Sequence, residues 1–131
     1  MEIFEAAGTP INMSTLGRLS EPEAFANLMR RRPVATNDWL MVYAQPFACD
    51  ARSSLGFVIP KKVLRKAVQR NKVRRWCRAY WQSHPLTVPH HLLVRCRGKP
   101  RWTTPAERKA RYGALMLLCD QAFQALECVS Q

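Results

Sequence analysis

Nine cations fall within eighteen residues: Lys61, Lys62, Arg65, Lys66, Arg70, Lys72, Arg74, Arg75 and Arg78. No carboxylate interrupts them. The stretch from about Lys62 to Gln82 holds no Gly or Pro and ends before His84-Pro85, which predicts one long helix. At ~100° per residue, Val73, Trp76, Cys77 and Tyr80 gather on one side of it. Arg70, Arg74 and Arg78 form an i, i+4, i+8 ridge beside that stripe, and Lys72 and Arg75 continue around the exposed side. A helix that is merely solvated mixes both signs, because like charges at i, i+4 repel by ~0.2–0.5 kcal/mol. Phosphates would relieve a series of such repulsions, so the pattern points to nucleic acid.

Nothing else in the chain has the look of a catalytic set. There is no convergent carboxylate cluster, no Ser/His/Asp set and no Cys/His pair that spacing would bring together. The five cysteines (Cys49, Cys77, Cys96, Cys119, Cys128) form no Cys-x-x-Cys pair and are odd in number, so free thiols are expected. His90 and His91 are adjacent and would point to opposite faces of a strand, and His84 lies among loop residues. No protein-held metal is expected.

The whole chain shares the bias: 21 Lys+Arg against 9 Asp+Glu give a formal charge of +12 in 131 residues. That length suits one domain, and 47% hydrophobic content excludes generic disorder. No apolar run nears ~18 residues, the best, Ala114–Cys119, stopping at Asp120. Glu2 and Glu5 precede any basic residue, the reverse of a signal peptide. A cytoplasmic chain away from membranes is expected.

The elements that must position the basic stretch follow from patterning. Residues 1–17 lack any period and read as a loose extension, with Met13 an alternative start, and residues 18–128 read as one nucleic-acid-binding domain. Ser20 with Glu23 predicts a capping box for a first helix, with Pro22 in its first turn, Ala24, Phe25, Leu28 and Met29 on one face, and Arg30-Arg31-Arg32-Pro33 at its end. Trp39–Tyr43 and Ser54–Ile59 read as strands, with a further short strand considered near Ala44–Arg52. His91–Arg97 makes a later strand, broken by Gly98-Lys99-Pro100. Thr104-Pro105-Ala106-Glu107 is a second capping box, opening a helix whose stripe is Tyr112, Leu115, Met116, Cys119, Ala122, Phe123 and Leu126. The order α-β-β-(β)-α-β-α describes an α+β sandwich with helices packed on a small sheet.

The run from Lys61 to Arg75, with its Lys-Lys pair, Ala67 and Arg70-Asn71-Lys72-Val73-Arg74-Arg75, closely resembles the RNR motif of the bacterial ribonuclease P protein subunit. Arg18-Leu19 followed by Phe25, Tyr43 at the end of a strand, Leu55-Gly56-Phe57 and Leu92–Arg97 are similar to that family's flanking pattern, from about Arg18 to Phe123. Four positions depart from it. Lys72 stands for the motif's second arginine and Met29 for a common aromatic. His91 stands for an acidic residue, and Ser54 for an arginine, with Arg52 nearby.

The resemblance implies a ribosomal protein S5 domain 2-like sandwich with a left-handed β-α-β crossover around the RNR helix. It implies a chain that assists a catalytic RNA in cutting the 5′ leader from precursor tRNA, one protein per RNA. The RNA and substrate hold the catalytic Mg²⁺, and the chain alone is inactive. Lys61, Lys62, Arg65, Lys66, Arg70, Asn71, Lys72, Arg74, Arg75 and Arg78 would face the catalytic RNA. Phe25, Met29, Trp39, Met41 and Tyr43 would line a cleft for the single-stranded leader, where bases stack at ~1–3 kcal/mol each. Trp39 and Met41 are equally the makings of an ordinary core, whereas for Phe25 and Tyr43 the family position favours the cleft. The competing reading is a structural RNA binder of ribosomal type. A major-groove DNA reader lacks the dimerising heptads or preceding helix-turn it would need.

Overall fold

β-Branched and apolar runs form strands where the pattern predicts them, and short additions at both sheet edges complete the layer. The computed structural model describes residues 16–19, 21–46 and 52–130, with side chains through residue 127. The elements are β1 (Gly17–Arg18), α1 (Pro22–Met29), β2 (Ala35–Thr36), β3 (Leu40–Pro46), β4 (Ser54–Val58), α2 (Ala67–Ser83), β5 (His90–Cys96) and α3 (Pro105–Ser130). The sheet order is β1-β4-β5-β3-β2. β5 lies in the middle, parallel to β4 and antiparallel to β3. The parallel β4–β5 pair is joined through α2, a β-α-β unit.

Alternation along the strands divides the molecule into two cores. Leu40, Val42 and Ala44 of β3, Leu55 of β4, and Leu92, Val94 and Cys96 of β5 face α2 and α3. There they meet Val73, Cys77 and Trp81 of α2 and Leu115, Leu118, Cys119 and Ala122 of α3. The alternate residues Tyr43 and Leu93 pack with Leu19 and Leu28, joined by Phe25, Met41 and Val58, under α1. A Cβ on Gly56 would lie 2.8 Å from the Phe25 ring and 3.0 Å from Leu19 Cβ, so the glycine lets α1 sit close to β4.

Several element boundaries differ from the sequence reading, each for a local reason. α1 is capped by Glu21, without a side-chain cap bond. Pro22 at the helix start already lacks an N–H, so one of the orphan donors is missing. Ser20 lies outside the described residues. α2 starts at Ala67, five residues after the expected Lys62. The N–H groups of Val63 and Leu64 both donate to the Pro60 carbonyl (3.0 and 3.2 Å), closing a turn that drops Leu64 into the core, and Lys66 is extended (φ −88°, ψ 133°). β3 runs to Pro46, absorbing Ala44–Pro46 of the extra strand considered there, and residues 47–51 lie outside the description. The same is true of residues 1–15 of the extension, whereas Gly17 is already a strand residue, its N–H on the Ser53 carbonyl at 2.7 Å.

The second capping box is present. The Glu107 N–H donates to Thr104 Oγ1 (3.1 Å), and Glu107 Oε1 accepts from the N–H groups of Thr103 and Thr104 (2.8 and 3.1 Å). Tyr80 of α2 donates its hydroxyl to Asp120 Oδ1 of α3, pinning the two helices together. Cys77, Cys96 and Cys119 are free and buried. The Cys77 thiol is pushed up by its hydrogen bond with Cys119 and by burial, and burial raises Cys96 to about 12, so both stay protonated and inert. Cys49 and Cys128 fall outside the described side chains.

Candidate nucleic-acid interface

The basic stretch is built from two pieces, a turn and a helix. Lys61, Lys62, Arg65 and Lys66 stand exposed on the turn before α2, and Arg70, Asn71, Lys72, Arg74, Arg75 and Arg78 stand on the helix itself. Arg70 joins the two: its Nη1 donates to the carbonyls of Leu64 (2.8 Å) and Arg65 (3.0 Å). Asn71 Oδ1 accepts from Arg74 Nη1 at 3.0 Å, holding that guanidinium on the exposed face beside Arg75. Lys72 departs from expectation. It is half-buried in a trough beside Trp102 and Arg108, turned toward α3 instead of the open side.

The electrostatics favour an anion. The first turn of α2 carries no acid, so the positive end of its dipole adds to the side-chain cations. Burial, and then the charge of Arg18 on β1, lowers the Arg78 guanidinium from its ordinary value. The charge of Arg18, on a different element, is thus felt at the Arg78 end of the ridge. The sequence carried no sign of this, because only the β1–β4 pairing, Arg18 opposite Leu55, brings that strand to the same edge.

The predicted cleft residues separate. Phe25 and Met41 are half-buried on the α1 face, and Met29 keeps 37% of its surface exposed at the helix end. Tyr43 lies on the same face but is only 2% exposed, its hydroxyl on the Met41 sulfur at 3.6 Å, so it supports the face from below without presenting its ring. Trp39 is not with them. It is 2% exposed in the opposite core, edge-on to Trp102 at 6.1 Å and with Arg111 5.6 Å over its ring. The cause is Asn37, whose Oδ1 accepts from the N–H groups of Trp39 (2.9 Å) and Leu40 (2.8 Å). That turn breaks the strand alternation just before Leu40.

Register adds residues that spacing could not supply. Arg95 lies between Val58 and Met41 on the α1 face, half-buried, and alternation from Leu93 was its only sequence signal. Ser54 and His91, far apart in sequence, meet across β4 and β5 with Oγ and Nδ1 2.8 Å apart, a Ser–His contact the sequence reading did not anticipate. His90 points the other way as expected, buried, its Nδ1 2.6 Å from the Val88 carbonyl. Among the described residues, no three of His, Cys, Asp and Glu are grouped so as to hold a metal ion, and no helix is long and apolar enough to cross a membrane.

This carboxylate-free basic helix, crossing between parallel strands of a mixed sheet, has counterparts among known proteins. The family model of ribonuclease P matches residues 13–116. The chain belongs to the ribonuclease P protein family. Its relatives include the ribonuclease P protein component of Ralstonia pickettii, 32% identical over 90 residues covering 67% of this chain and 64% of that protein. The corresponding component of Bordetella parapertussis is 34% identical over 101 residues, covering 72% of this chain and 82% of that one. The chain thus spans under two thirds of the Ralstonia relative's length and most of the Bordetella relative's. In fold it is similar to the RNase P protein of Staphylococcus aureus (TM-score 0.61, 19% identity, 82% and 92% of the two chains). It is similar also to that of Thermotoga maritima in complex with 1-(4-fluorophenyl)-2-thiourea (TM-score 0.58, 20% identity, 84% and 97%). The mixed sheet with α2 in the crossover is therefore the family architecture.

Proposed function

We propose that this chain is the protein subunit of a bacterial ribonuclease P. It binds the catalytic RNA through the turn and helix from Lys61 to Arg78. It takes the 5′ leader of precursor tRNA on the α1 face, and so assists removal of that leader, one protein per RNA, in the cytoplasm. The observation that carries this reading is the unbroken cationic surface of the turn and α2 in a chain of this family. Its cations neutralise backbone phosphates, each contact contributing ~0.7–0.9 to the slope of log affinity against log salt. On the other face, the half-buried Phe25 and Met41 beside Arg95 offer an apolar platform with a cation for an unstacked strand.

Bond cleavage would belong to the RNA. The catalytic Mg²⁺ would come with the RNA and the substrate and be held mainly by them, none being bound stably by the protein. The chain's own task is positioning and charge neutralisation. The test adds the purified chain to a transcribed bacterial ribonuclease P RNA and a precursor tRNA at low Mg²⁺. Stimulated 5′ cleavage, with none by the chain alone, is the expected result. Unchanged cleavage would favour a structural RNA binder of ribosomal type.

A further inference from the structure

A second basic and aromatic surface lies on the side of α2 away from the Arg70–Arg74–Arg78 ridge. Here Val68 and Lys72 of α2 line a trough whose other wall carries Arg108 of α3, and Trp76, continuing the i, i+4, i+8 row, meets Tyr112 of α3 just beyond it. Trp102, from the loop between β5 and α3, stacks on Trp76 with centroids 5.4 Å apart and planes 4° from parallel. Tyr112 meets Trp76 edge-on at 5.1 Å and 78°. Trp102 is nearly buried, but Tyr112 keeps 44% of its surface in solvent. Gln69 fixes the loop by donating to the Trp102 carbonyl at 3.0 Å. Hollows of about 320 and 410 Å³ flank Trp102, within the ~300–1,000 Å³ range of ligand pockets.

Its charge is as one-sided as that of the ridge. Lys66, Lys72 and Arg108 line one hollow, and Lys62, Arg65 and Lys99 line the other. No Asp or Glu occurs between Asp50 and Glu107, and Glu107 is occupied in the capping box with Thr103 and Thr104. Arg108 and Lys109 sit in the first turns of α3, at the positive end of its dipole, where cations cost stability. Folding alone does not explain an arrangement that sets like charges against one another and against a helix end. A polyanion does, and the exposed Tyr112 ring, set edge-on beside the Trp76–Trp102 stack, selects one whose monomers are flat.

We infer that this trough and the adjoining Tyr112 bind a single-stranded RNA segment, with one base stacked on the exposed Tyr112 face, edge-on to the Trp76–Trp102 pair, and the flanking phosphates on Lys72 and Arg108. The site deepens the ribonucleoprotein reading above and rests on it for the source of the RNA. It shares Lys62, Arg65, Lys66 and Lys72 with the basic turn and helix but lies on the side of α2 opposite the Arg70–Arg74–Arg78 ridge and away from the α1 face, so a bound strand would be held by α3 as well as by α2.

The experiment measures binding of the full chain to a fluorescein-labelled oligouridine and to an oligomer of equal length with abasic sugars. The wild-type chain should prefer the oligouridine, and Tyr112→Leu should abolish that preference, weakening oligouridine binding about 5- to 160-fold, the value of one stacked base. Tyr112→Phe should restore it. Arg108→Gln should reduce the salt slope by about 0.7, one single-strand phosphate contact. Melting temperatures of the variants guard against unfolding. Equal affinity for the two oligomers, or a base preference that survives Tyr112→Leu in a folded chain, would overturn the inference. Leader cleavage with the catalytic RNA is measured separately. Stimulated cleavage without a Tyr112-dependent base preference sinks only this site, and Tyr112-dependent binding without stimulation supports the site while the ribonuclease P reading fails.

Discussion

Tyr43 packs in the α1-face cluster with Leu93, Leu28 and Leu19, and almost none of it reaches solvent. Truncating it to Ala should leave a cavity costing about 3–5 kcal/mol of folding stability, read by urea unfolding. Affinities for precursor tRNA and catalytic RNA should then fall together, and Tyr43→Phe should leave both near wild type. The exposed guanidiniums behave differently. Replacing Arg74 and Arg75 by Gln should leave the melt unchanged and flatten the salt dependence of catalytic-RNA binding by about 0.7–0.9 log units per lost phosphate contact. An unchanged slope with weaker binding would mean base contacts instead. Residue types alone revealed the cations, because a nine-charge run without a carboxylate is rare enough to mean something. They did not reveal which cations are already engaged. Arg70 ties down its own turn, and Lys72 turns toward Trp102, through contacts that exist only once the chain has folded.

Helices and strands were legible where the signal is periodic, and less so where a single side chain settles the boundary. The Thr104–Glu107 box marks the start of α3 in sequence and structure alike. The Pro60 turn and the Asn37 turn each depend on a hydrogen bond that no periodicity announces, and they account for the late start of α2 and for Trp39 changing cores. The two-residue strands β1 and β2 are too short to carry a pattern and form only as partners of β4 and β3. The α3 box should respond to pH. Hydrogen bonds from the Thr103 hydroxyl and then from the Thr103 and Thr104 N–H groups hold the Glu107 carboxyl below its ordinary range. A carboxyl depressed in the folded state stabilises above its unfolded pKa, and that stabilisation is lost as pH falls through the folded value. Amide exchange at Thr103 and Thr104 should therefore be protected at neutral pH and quicken as acid protonates Glu107, beyond the intrinsic pH trend. Glu107→Gln should remove that extra dependence.

At the scale of the whole molecule, the sheet holds α1 on one face and α2 with α3 on the other. A leader and a catalytic RNA could therefore be engaged together without competing for the same surface. That same sheet dictates when the chain can become a protein at all. β5 is the middle strand yet comes late in the sequence, and beyond the two-residue strands β2 and β1 both β3 and β4 find their long partner only in residues 90–96. A ribosome releasing the chain from its N-terminus has already delivered the whole cationic helix before the strand that joins the two halves of the sheet exists. Until then, β3 and β4 each present an unpaired edge, and the pairing that closes them spans a long stretch of chain, a slow step in folding. A chain ending at Pro89 should show no cooperative melt, whereas one ending after Arg97 should begin to recover protected β amides. During synthesis, the basic segment meets cellular RNA as an unfolded polycation first and as a shaped surface only afterwards.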